Sequence, residues 1–155
     1  MPNWVYNTLI FDSSKDLSKV WKGMFFKSPD EDDSHFSYEN IIPSPKNKDE
    51  CPDAFLIGND SHVEREGYRP WFDWYKWQNF YWGVKWDACD ANTNFTNMIS
   101  FDSPWCKPND EIFQGIADKF GVSFISQHAY EEDDTEEEYE WFPTNLKLRK
   151  IVALE

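Results

Sequence analysis

Apolar positions along the chain recur with two periods, and their order outlines a fold. Residues 4–11 (WVYNTLIF) are rich in β-branched and aromatic types and predict a strand. Ser13 and Ser14 then offer an N-cap, and Leu17, Val20, Trp21, Met24 and Phe25 follow at helical spacing. This predicts a helix over 15–26 that stops near Ser28 and Pro29, followed by an acidic turn at 30–33. Residues 36–42 (FSYENII) predict a second strand, ended by Pro43 and Pro45. The stretch 46–70 mixes Pro, Asn, Asp, Lys and Gly and predicts a long loop, with 54–57 docked on the core. Pro70 and Gly83 then bracket a helix whose Trp71, Trp74, Tyr75 and Trp82 fall on one face, and 84–89 lead out of it.

The second half again alternates strand and helix. Residues 95–101 (FTNMISF) predict a strand, and Pro108 or Asn109 opens a helix with Ile112, Phe113, Ile116, Ala117 and Phe120 as its apolar stripe. Gly121 is a C-cap residue, and a strand runs from Val122 to Tyr130. Further on, 146–149 (LKLR) alternate as an added strand would. Strands separated by helices in this order predict an α+β domain, an antiparallel ferredoxin-like sheet with helices packed on one face. The Trp-rich helix is an insertion. The chain, 1–155, is expected to be one domain with a core over about 1–132, and 131–155 to be an acidic segment and C-terminal extension.

Charge narrows the function classes. The formal net charge is -14, with 15 basic against 29 acidic residues, which argues against direct nucleic-acid binding or an anionic membrane surface. An aromatic content of 19% separates the chain from disordered acidic sequences and points to a real core. Cys51, Cys89 and Cys106 form an odd set without CxxC spacing, as expected of free thiols in a cytoplasm. The start, Met1-Pro2-Asn3-Trp4, does not look like a signal peptide.

Candidate chemistry is sparse. Asp87, Cys89 and Asp90 lack the oxygen spacing of a cation loop, and His35, His62 and His128 are widely separated. His128 is expected to be structural. No metal, cofactor or catalytic residue is expected, although Cys106, His128 and Asp87 would form an enzymatic site if they met in space. The aromatic run at 68–86 is expected to be core, with Trp71, Trp74, Trp82, Gly83 and Trp86 as its central motif. As an alternative it would serve as a platform for a small molecule or sugar.

Several blocks resemble the Api92-like (YubB-type) proteins of phages, plasmids and other mobile elements. They are Met1-Pro2-Asn3-Trp4 with Asn7 and Leu9, then Ile41-Ile42-Pro43 with Pro45. Trp71-Phe72-Asp73-Trp74 leading to Trp82-Gly83-Val84-Lys85-Trp86-Asp87-Ala88 follows. Phe101-Asp102-Ser103-Pro104-Trp105 with Pro108, and Phe120, Phe124 and Tyr130-Glu131-Glu132, complete the series. The resemblance spans about 1–132 in collinear order and implies a ferredoxin-like fold. It implies no catalytic residues.

The acidic run 131–140, where all but Thr135 and Tyr139 are acidic, departs from that pattern. One reading is a solvated loop. The sharper one is that carboxylates imitate phosphates and occupy a basic groove, with an aromatic anchor beside them. The residues singled out for partner binding are Glu131, Glu132, Asp133, Asp134, Glu136, Glu137 and Glu138, with Trp141 as the anchor. On this reading the chain is a non-enzymatic, DNA-mimic-like inhibitor made by a phage or mobile element. Its partner would be a basic host protein in the host cytoplasm, such as a nucleic-acid-processing or CRISPR defence complex.

Overall fold

A computed structural model describes residues 3–26, 35–57, 69–93 and 96–144. Strand β1 (Trp4–Phe11) is the centre of the fold. Its alternation buries Val5, Asn7, Leu9 and Phe11 on one face and turns Tyr6, Thr8 and Ile10 to the other. Helix α1 (Ser18–Met24) buries Val20 and Met24. It starts later than the Ser13/Ser14 capping pattern predicts. Ser14 donates to Asp12 from both its backbone N–H and its hydroxyl, closing a local turn instead of capping.

The predicted strand at 36–42 is a correction. Within 36–42 strand pairing stops at Phe36, in β3 (His35–Phe36), which pairs with β2 (Phe25–Phe26), and Tyr38–Asn40 forms a 3-10 turn. The hydroxyl of Ser37 accepts the Glu39 N–H, and the Asp87 carboxylate accepts that of Tyr38. Side chains therefore satisfy the backbone donors that a sheet neighbour would otherwise take.

Helix α2 (Trp74–Tyr81) is shorter than predicted because Asp73, not Pro70, caps it, accepting the Lys76 N–H at 3.1 Å. Its buried face also differs from the predicted one. Trp77 and Trp82 are in the core, whereas Trp74 is 47% and Tyr75 56% exposed. Strand β4 (Cys89–Thr93) was not predicted, and β5 (Met98–Pro104) overlaps the predicted 95–101 but runs on to Pro104. Helix α3 (Asp110–Phe120) buries Ile112, Phe113, Ile116 and Ala117, and Gly121 ends it in the left-handed region at φ 63.

Strands β6 (Phe124–Tyr130) and β7 (Thr135–Trp141) form a hairpin. Most of the acidic run is therefore a strand and its turn, not the solvated loop of the first reading. The five-stranded sheet is antiparallel with the order β4-β5-β1-β6-β7, so the class is α+β. The core lies between one sheet face and the helical side, where Leu9, Phe36, Tyr38, Trp82, Ile99, Phe101, Phe113 and Ile116 meet. The predicted acidic turn at 30–33, His62 and the predicted strand at 146–149 lie outside the described residues.

Candidate functional site

The two faces of the sheet carry different chemistry. On the open face, pairing places residues in three cross-strand rows. The first runs Asp102, Tyr6, Ala129, Glu136, and the second Ser100, Thr8, Gln127, Glu138. The third runs Met98, Ile10, Ile125, Glu140. Each row ends in a glutamate of β7, and none of the five strands contains a Lys or Arg. Along β7 these three glutamates form a row of their own, successive ones roughly 6.8 Å apart, two strand residues.

Local bonds order this surface. The Tyr6 hydroxyl donates to Glu131 at 2.9 Å, and Gln127 Nε2 donates to Glu138 at 2.9 Å. Burial and the neighbouring charge of Asp90 push the Asp102 carboxyl above its ordinary range. A trough of about 440 Å³ follows the first two rows, lined by Tyr6, Thr8, Gln127 and the glutamates. At the end of the third row Ile10, Ile125 and Phe142 line an apolar depression of about 260 Å³, and Phe142 is 50% exposed. Acidic edge and apolar patch are thus contiguous.

The acidic residues singled out from sequence divide accordingly. Glu131, Glu132, Asp133 and Asp134 make the exposed β6–β7 turn, where Asp134 takes a positive φ. Glu136 and Glu138 face outward on the open side, and Glu140, not singled out, extends their row. Glu137 is on the opposite face. The hydroxyls of Tyr139 and Tyr130 hold its carboxyl below the ordinary range. Trp141 stacks on Phe113 and donates its indole N–H to Ser126, so its ring is packed into the scaffold and Phe142 is the exposed aromatic beside it. The period of two, applied to the acidic run, is the signal that would have separated Glu137 and found Glu140.

The inner face holds a buried polar chain. Asn7 Nδ2 donates to Ser103 Oγ at 2.9 Å and to the Val5 and Phe101 carbonyls, so its Oδ1 accepts from His128 Nδ1–H at 2.7 Å. His128 Nε2 therefore accepts from Ser126, whose oxygen accepts the Trp141 N–H. Ser103 passes the chain on to the Cys106 carbonyl at 2.7 Å. Every member is satisfied by a neutral imidazole, and burial, then the charge of Lys107, lowers the His128 pKa to about 4.

The three residues of the enzymatic alternative do not join. Asp87 accepts from Ser37, Tyr38 and Ala88, His128 is held as above, and the Cys106 thiol points to the Gly83 carbonyl at 3.1 Å. Burial raises the pKa of Cys106, which disfavours the thiolate. Among the described residues no group of three potential ligands gathers in metal-binding geometry, and no helix is long and apolar enough to cross a membrane.

Within the Trp-rich motif, Trp82 is buried and donates to the Ile42 carbonyl at 2.9 Å, and Trp71 is partly buried. Trp74 and Trp86 are exposed, Trp86 lying beside Trp4 and under Lys85. A depression of about 420 Å³ bounded by Pro43, Pro45, Pro52, Trp77 and Tyr81 lies next to this segment. In comparison with known proteins, the chain matches no family model, no curated protein and no solved structure.

Proposed function

We propose that the open sheet face is a protein-binding surface, and that the chain is a non-enzymatic interaction protein that occludes a basic site on its partner. The observation that carries this is the one-sidedness of the sheet, which has carboxylates at its rim and no cation in any of its five strands. An acidic surface of this kind offers a nucleic-acid-binding protein the same counterion-releasing contacts that a phosphate backbone does. The apolar patch around Ile10, Ile125 and Phe142 supplies the desolvated contact that charge alone lacks.

The order β4-β5-β1-β6, with α1 between β1 and β4 and α3 between β5 and β6, supports a ferredoxin-like core to which the acidic segment adds β7. Membership of the Api92-like proteins rests on the sequence blocks, and with it the origin in a phage or mobile element. The partner would be a host nucleic-acid-processing or defence protein, such as a CRISPR effector, met in the host cytoplasm.

Affinity purification from the host tests the proposal. A basic partner should co-purify, and its binding should weaken steeply between low and moderate salt. Replacing Glu136, Glu138 and Glu140 with Gln should release it while the fold persists. Unchanged affinity in that variant would defeat the proposal. A second reading, a small molecule or sugar bound beside the Trp-rich segment, is favoured by the depression at Trp77 and Tyr81 alone. It predicts ligand-dependent quenching of Trp fluorescence that Tyr81→Ala abolishes.

A further inference from the structure

We infer that the outer edge of β7 accepts an extended segment of the partner as a sixth strand, and that this segment carries Lys or Arg at alternate positions. The inference rests on the proposed interaction function and names the partner's chemistry at the same site. Among the described residues β7 is an edge, since the sheet order ends with it. Which of its backbone groups are free follows from the register. Glu131 N–H donates to the Trp4 carbonyl, so in β6 the odd-numbered residues bond to β1 and the even-numbered ones to β7. Tyr130, His128, Ser126 and Phe124 face Thr135, Glu137, Tyr139 and Trp141, whose N–H and C=O groups point inward. The backbone groups of Glu136, Glu138 and Glu140 therefore point out of the sheet.

These are the same three residues whose side chains form the acidic row. A strand added antiparallel along this edge sets one residue directly opposite each of them, on the open face. Lys or Arg at those positions meets the glutamates pairwise, while the residues between them lie on the side of Tyr139. The edge also disfavours its own copy. Two β7 strands paired antiparallel about Glu138 would set Glu136 against Glu140 and Glu138 against itself, and like charges directly opposite destabilise a pair. Charge thus selects a basic strand and blocks self-association by one arrangement.

The test uses the full chain and a short synthetic peptide alternating lysine with valine, together with two N-methylated forms. Binding should slow exchange of the Glu136, Glu138 and Glu140 amides and leave those of Glu137 and Tyr139 unchanged. Methylation of the lysine amides, which face the edge, should weaken binding by about tenfold or more, and methylation of the valine amides should not. If both methylated peptides bind alike, yet Gln at the three positions still weakens them, strand addition is overturned and the charged surface survives. Absence of peptide binding at low salt overturns the inference and leaves the proposed function to the partner purification. Protection of the three amides before any peptide is added overturns it too, by showing that residues 145–155 or another copy already hold the edge.

Discussion

His128 Nδ1 lies 2.7 Å from Asn7 Oδ1, and this bond ties β6 to the central strand within the buried polar chain of the core. Because Asn7 spends its amide on Ser103 and two carbonyls, His128 must stay neutral to fill its place. Its folded pKa, about 4, lies below the ordinary 6.5. A depressed histidine favours the folded state fully above pH 6.5, and that contribution disappears as the unfolded chain takes up a proton between 6.5 and about 4. The chain should lose roughly 2–3 kcal/mol of stability over that interval from this residue. Urea denaturation across the interval, with the His128 ring protons followed by NMR, checks this. A titration midpoint above 6 would contradict the buried chain.

Gly83 ends α2 at φ 80, where a side chain is strained, and packs against the start of α3. A Cβ there would stand 2.9 Å from the Asn109 backbone nitrogen and closer still to its side-chain oxygen. Asn109 cannot withdraw, because its amide donates to the Phe80 carbonyl at 2.9 Å and its N–H to the Trp82 carbonyl at 2.8 Å. Gly83→Ala should therefore cost about 2–3 kcal/mol, more than a glycine-to-alanine change in an open loop. Thermal melting compared with Gly121→Ala isolates the contact, since nothing lies within 4 Å of a Cβ at Gly121.

How far the fold could be read from sequence depended on what satisfied each segment's backbone. Strands β1 and β6 and helix α3 were legible because their burial follows a clean period, as Val5, Asn7, Leu9 and Phe11 or Ile112, Phe113 and Ile116 do. Strands β4 and β7 were not. CDANT and TEEEYEW are poor in the apolar residues that mark strands, and both lie at sheet edges where one face and one margin meet water. The stretch after Phe36 failed differently. Its apolar pattern suits a strand, but Ser37 and the distant Asp87 capture its N–H groups, and no local pattern announces a partner from another element. The acidic residues were visible as a run. Their division between two faces became visible only once the run was known to be extended.

Asp87 itself offers a clean separation of hydrogen bonding from charge. It accepts from the Tyr38 and Ala88 N–H groups, both at 2.8 Å, and from the Ser37 hydroxyl. Burial, only partly offset by these donors, raises its pKa. A carboxyl raised in the folded state favours folding most at acid pH, and the advantage is lost as pH rises through the folded value. The charge is therefore a burden at neutral pH, whereas the bonds are not. Asp87→Asn keeps an oxygen for both backbone donors and should change stability by less than about 1 kcal/mol, whereas Asp87→Ala strands them and should cost about 2–4 kcal/mol. Equal losses in the two variants by chemical denaturation would show that the charge matters to the fold.

The row Glu136, Glu138 and Glu140 should prove a cost to stability. The three carboxylates stand on one face of one strand, roughly 6.8 Å apart, and no cation in the sheet lies among them. Gln at all three positions preserves size and retains an oxygen to accept the Gln127 amide that now bonds Glu138. It removes the mutual repulsion, so the triple variant should be more stable by a few tenths to about 1 kcal/mol at low salt, with the gain shrinking as salt screens the charges. Residues retained for packing behave in the opposite way, losing stability when replaced. A sheet that keeps a destabilising row of like charges at its edge keeps it for something other than folding. Denaturation of the triple variant and the parent at two salt concentrations gives the sign. A loss of stability at low salt would mean that the glutamates serve the fold, and would remove the main reason to seek their partner.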